Sequence, residues 1–325
     1  MAPTTYNDAM TEALERLRPL GYEHGSRALV NHAPMAAEAL AYMGYTDEVS
    51  RWLDRTVRAR DYHEAPVARF ALSPDDPSDW RSALGDFGRV GDWTALFARQ
   101  LEDEPWRDVL ARWWPRLMPG VLAVMGHGVI RTAHAVRAVA RAGEDNRLQL
   151  GELAHGLGYW AARHEPVPGA AEAFAAATGR AAGGPDDAAA AVRALDDLTA
   201  ESAGIYTEAH QHHPVPLIHA VTTPAAVRLV CAYVPSDQHR PSYLATAEAT
   251  RTMRSWFVKG PVSAHPAPRP DTPPARELFA TAAEIGDEHA IKLAEVAVRH
   301  GEQAPDHRYA AAAHTANRAI DRILR

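Results

Sequence analysis

The sequence is short of cysteine, of lysine, and of β-branched alternating runs. Cys231 is the lone cysteine in 325 residues, which excludes a disulfide framework and a cysteine-rich metal site. Acidic residues outnumber basic ones by 41 to 34. The chain therefore lacks the positive excess of a general phosphate-backbone binder, and nucleic acid is not expected as a partner. No run of about 18 uncharged apolar residues occurs, so no membrane span is expected. The opening MAPTTYNDAM has no cationic and apolar signal layout, and a soluble cytoplasmic protein is the expectation. HExxH, P-loop, GxGxxG and GxSxG motifs are all missing, which gives no support to a zincin, a Rossmann cofactor fold or a hydrolase elbow.

Lysine occurs only as Lys259 and Lys292; arginine supplies the other positive charge. A high-GC codon bias explains that replacement and makes each surviving lysine a position to account for. Hydrophobic residues at 46% and charged residues at 23% exclude wholesale disorder.

What is abundant is helix-forming: alanine, leucine, arginine and glutamate dominate. The expectation is an all-α protein, a single large helical domain over 1–325 with a buried central helix. Thr4 to Leu20 reads as the first helix. Asn31 reads as an N-cap, with Pro34 in the first turn and Gly44 as a stop. Trp106 to Leu117 reads as a helix, with Pro115 and Pro119 marking a kink or break. Gly120 to Gly143 is apolar around most of its circumference and reads as the central helix. Arg147 to His164 follows. An alanine-rich insert spans about 170–194, with a turn at Gly183-Gly184-Pro185. A helix is expected to start near Pro224, another to cover Ser242 to Lys259, and a proline-rich connection to cover Val262 to Pro274. Gly286-Asp287 reads as a stop and restart, and His307 to Leu324 as the last helix.

Histidine is plentiful, at 17. His127, Arg131 and His134 share one face of the central helix, at offsets of four and seven. Charged and polar groups on an apolar helix are costly unless satisfied. The two histidines lie about 10.5 Å apart along the axis, so one is expected as a metal ligand and the other behind it or facing substrate. His289 and Lys292 lie three apart on a second helix. A lysine in an apolar, electropositive site has a lowered pKa, and its neutral amine can capture carbon dioxide as a carbamate. His32 stands at a helix start and His219 in an apolar run; taken singly, a turn histidine and a core histidine would explain them. His210, His212 and His213 read as a loop cluster. Glu152 and His155 form one ExxH, whereas a ferritin-like di-iron site needs two.

Six stretches together resemble the questin oxidase-like family: NHAPMAAEAL from Asn31, RWWPRLMPG from Arg112, GHGVIRTAHAVRA from Gly126, LGYWAARH from Leu157, LIHAVTTPAAVRL from Leu217 and GDEHAIKLAEV from Gly286. They run in family order across roughly residues 20–300. The resemblance implies an oxygenase of aromatic polyketide pathways that cleaves an anthraquinone ring by Baeyer–Villiger-type or dioxygenase chemistry. It implies one non-haem Fe(II) held by four histidines and a carboxylated lysine. Carried over by motif, His32, His219, His289 and Lys292 are ligands, and the fourth histidine is His127 or His134, with His127 preferred. Arg131 would pair with a substrate oxyanion or with a group behind the ligands, and His134 would share the catalytic role. Trp113, Trp114, Tyr159 and Trp160 would be flat walls or core. The implied partners are an aromatic polyketide and dioxygen. No NADPH site is legible, so electrons would come from a separate source or from the substrate. A metal-dependent hydrolase in the same pocket, or a non-catalytic helical protein that binds an aromatic ligand, would carry the same residues.

Overall fold

The computed structural model describes residues 3–143, 146–167, 169–178 and 185–325. Fifteen α-helices and one small three-stranded sheet make it predominantly all-α, as the composition implies. The chain divides into two compact units, Met1–Ala171 with Ala232–Pro235 and Glu172–Cys231 with Ser236–Arg325.

The first unit opens with α1 (Tyr6–Leu17), β1 (Leu20–His24), β2 (Leu29–Val30), α2 (Ala33–Tyr42), α3 (Thr46–Arg58), β3 (Tyr62–Glu64) and α4 (Pro77–Ala83). It continues with α5 (Val90–Asp103), α6 (Trp106–Leu117), α7 (His127–Ala142) and α8 (Arg147–Ala162). A capping box between Thr5 and Asp8 starts α1 and satisfies two otherwise orphaned N–H groups. The helix then buries Ala9, Met10, Ala13, Leu14 and Leu17 on one face. The helix expected to run to Leu20 stops at Leu17, because Leu20 to His24 leave as a strand. That strand pairs antiparallel with both neighbours, Glu23 opposite Val30 and Leu20 opposite Glu64.

Trp93, Phe97 and Trp80 meet Trp113 edge-on at 5.6, 5.0 and 5.6 Å between ring centres, an arrangement the aromatic quadrupole favours. α7 is buried from His127 to Val139 and packs on α2 and α8. Gly128 makes the α7–α8 approach possible: a Cβ there would sit 2.7 Å from the Trp160 side chain.

Other boundaries also differ from the sequence expectation. Asn31 precedes the N-cap position, which is His32, although the Asn31 side chain still accepts from the Ala33 N–H at 3.0 Å. Gly120 to Gly143 is not one helix. Short 3-10 turns occupy Met118–Gly120 and Ala123–Gly126, and α7 begins at His127. Val124, Met125 and Gly126 have φ of 48°, 57° and 81°. Three successive left-handed residues reverse the chain, and apolar composition alone does not reveal such a turn.

α9 (Ala170–Thr178) leads into the second unit, which is built from α10 (Pro185–Glu208), α11 (His219–Val230), α12 (His239–Phe257), α13 (Ala275–Ile285), α14 (Glu288–Gln303) and α15 (His307–Leu324). The expected turn at Gly183-Gly184 lies outside the described residues. α11 starts at His219, not near Pro224; the proline sits inside it. The ring removes the N–H that would bond the Ala220 carbonyl, and the packing of a segment buried from His219 to Val227 offsets that cost. α14 is buried from Glu288 to His300 and packs on α11, α13 and α15. Between α12 and α13 the proline-rich segment forms no helix or strand. Among the described residues no helix is long and apolar enough to cross a membrane.

Candidate metal centre

His32 ends the turn that leads into α2, and His127 is the first residue of α7. Both are buried, and their Nε2 atoms lie 2.6 Å apart. The left-handed turn before α7 points the Val124 carbonyl back at His127 Nδ1, and the two make a short hydrogen bond. A carbonyl only accepts, so the His127 proton belongs on Nδ1 and its Nε2 carries a lone pair.

The second unit repeats this device. His219 is the first residue of α11, follows a 3-10 turn over Pro216–Ile218, and directs Nδ1 to the Pro216 carbonyl at 3.1 Å. With the proton on Nδ1, its Nε2 again carries the lone pair. His289 lies in the first turn of α14, with its ring centre 5.3 Å from that of His219. Asp287 caps α14 by accepting from the His289 and Ala290 N–H groups at 2.9 and 3.2 Å. The same Oδ1 stands 3.5 Å from His289 Nδ1, a carboxylate placed to orient the ring. Burial raises the Asp287 pKa, but the bonds and charge of His289 and the backbone donors outweigh it and hold the carboxyl at about 2.

Lys292 is 2% exposed, and its Nζ has no hydrogen-bond partner among the described residues. Burial pushes its pKa down to about 8. The nearby charges are Glu288 and Asp287, and both act to raise it. The electropositive surroundings expected from the sequence are therefore absent, and desolvation alone lowers this amine.

Among the described residues, His32 and His127 of the first unit and His219 and His289 of the second are imidazoles that could hold a metal ion. Asp287, Glu288 and His289 are a second such set. His134 is in neither. Its Nδ1 lies 2.7 Å from Glu38 Oε2. Arg131, one turn from His127, gives Nε and Nη2 to Glu152 at 2.7 and 2.9 Å, so it pairs with a protein carboxylate. Trp113, Trp114, Tyr159 and Trp160 are all fully buried. Trp113 donates to Gln100, Trp160 to the Gly120 carbonyl and Tyr159 to Glu23. All four are core residues, and the polar atoms of Trp113, Trp160 and Tyr159 are satisfied.

The sequence reading missed Glu38, and it took Glu152 only as half of an ExxH, not as the partner of Arg131. Each is a carboxylate in a largely apolar helical stretch, and that isolation was the available signal. Compared with known protein families and with curated proteins, the chain has no match.

Proposed function

We propose that this chain is a mononuclear non-haem iron oxygenase that opens a ring C–C bond of an anthraquinone-type aromatic polyketide. The observation that carries the reading is a buried pair of candidate metal-binding imidazoles in each unit, His32 with His127 and His219 with His289, and the reading joins the two pairs on one ion. Its donor chemistry fits. His127 and His219 each commit Nδ1 to a backbone carbonyl, the tautomer in which Nε2 carries the lone pair that a ligand bond needs. The Nε2 atoms of His32 and His127 lie 2.6 Å apart, where a proton or a cation can sit between them. Imidazole suits iron as well as zinc, copper and nickel. The choice of iron rests on the resemblance of the six motifs.

Lys292 is the proposed fifth ligand. Its neutral amine would add carbon dioxide and release one proton, leaving an anionic carbamate oxygen. Burial, the partnerless Nζ and the lowered pKa support this, and an anion offsets the charge that four neutral imidazoles leave on the ion.

Iron held by these residues would supply the activation of dioxygen. The protein's own part is positional. The Val124 and Pro216 carbonyls and the Asp287 carboxylate fix ring orientation and tautomer. Glu38 does the same for His134, the candidate proton carrier.

The test is turnover of a hydroxylated anthraquinone such as questin, in air and without oxygen, with and without NADPH. A ring-opened product formed only in air is expected. Turnover that persists without oxygen would make the chain a metal-dependent hydrolase. Binding without consumption would make it a non-catalytic carrier of aromatic ligands. Either outcome overturns the proposal.

A further inference from the structure

The first unit contains a cavity of about 410 Å³ between α1, α5 and α8, with Arg131 of α7 in its wall. That volume lies within the usual range for small-molecule sites, about 300–1,000 Å³. Leu14, Leu17, Ala98 and Leu148 supply apolar wall. Two groups inside it have hydrogen-bonding capacity that the protein does not use. Arg131 spends Nε and Nη2 on Glu152 and stacks 5.1 Å over the Tyr22 ring, but its Nη1 makes no bond among the described residues. His155 packs its ring 5.5 Å from that of Tyr22 and makes no hydrogen bond to the described protein. Burial pushes His155 down to about 4; Glu152 opposes this, and Arg131 and Arg18 reinforce it. The ring is therefore neutral at pH 7 and offers one donor and one acceptor.

The charge of the cavity is one-sided. Glu152 and Arg131 neutralise each other. Arg18 and Arg147 also line the cavity, are exposed, and make no ion pair among the described residues. Two guanidiniums without an ion pair among the described residues, beside an apolar interior, select an anion with a hydrophobic body.

We propose that this cavity is a binding site for a small aromatic carboxylate, its acid group held by Arg18 and Arg147 and its body seated among the leucines against His155. The site is built from residues other than the metal set and does not depend on the metal reading.

The probe is 2-naphthoate, titrated into the full chain by calorimetry and by 15N spectra of the histidine rings. The His155 signals are identified by their loss in His155→Gln. Saturable binding is expected, with the His155 ring signals moving, and with uncharged 2-naphthamide weaker by about tenfold or more. Gly151 lines the same cavity on α8, and a Cβ there meets nothing within 4 Å. Gly151→Leu should therefore fold, checked by circular dichroism, while filling the space and weakening binding by about tenfold or more. His219→Ala, outside the cavity, should keep wild-type affinity. Absent saturable binding, equal affinity for the amide, unchanged affinity in folded Gly151→Leu, or loss of binding in His219→Ala would each overturn the assignment.

Discussion

Glu38 Oε2 on α2 lies 2.7 Å from His134 Nδ1 on α7. The same buried carboxylate accepts from Arg137 Nε at 3.0 Å and from the Tyr6 hydroxyl at 3.1 Å. One acid thus ties α1, α2 and α7 together. Burial alone would raise the Glu38 pKa, but Arg137 and then His134 reverse this and hold it below the ordinary value. Glu38→Gln leaves Arg137 buried without its counter-ion, and the expected loss of stability is ~3 kcal/mol. Urea unfolding checks it, and an unchanged midpoint would contradict the pairing. The sign of the pH dependence follows. A folded-state pKa below the unfolded one, about 4.3, gives stability that is full above that value and lost as pH falls through the folded pKa. Wild type should lose stability on acidification below about pH 4 more steeply than the variant.

Lys292 gives the same sign of pH dependence for the opposite reason, because here the fold disfavours the charged form. Its folded pKa lies below the unfolded value, so protonation favours the unfolded chain across the interval between them. Stability of the metal-free protein should therefore rise from about pH 8 towards pH 10.5. Lys292→Met removes a buried amine that has no hydrogen bond. It should abolish this rise and stabilise the metal-free chain at neutral pH by ~1–2 kcal/mol. Lys292→Arg should lower metal content and activity together. A destabilised Lys292→Met would assign the amine a structural bond instead.

Legibility in the sequence followed the range of the interactions. The bounds of α6 and α15 could be read directly, because caps and breakers lie within a turn of each end. The sheet could not be read: β2 has two residues and no periodicity, and it exists only through pairing with β1. The cost of a buried Arg131 was visible from its apolar neighbours. Its partner Glu152 was not, because an ion pair between two helices leaves no local pattern. His127 and His134 share a face of one helix, and only the turn at Val124 and the carboxylate of Glu38 give them different partners.

Val124 offers a separate test of that turn. It is a β-branched residue at φ 48°, a conformation that asparagine tolerates far better, and its side chain is only partly buried. Val124→Asn should raise stability by ~0.5–1 kcal/mol in thermal unfolding and leave metal content unchanged, because the carbonyl that holds His127 remains. Loss of metal in this variant would mean that the valine side chain, not the carbonyl, sets the ring.

The central claim is that His32, His127, His219 and His289 serve one iron. Elemental analysis of protein made with iron supplied, compared with His127→Ala and His219→Ala, tests it most directly. The account predicts about one iron per wild-type chain and trace amounts in each variant. Trace metal in wild type, or iron retained when either histidine is removed, would contradict it.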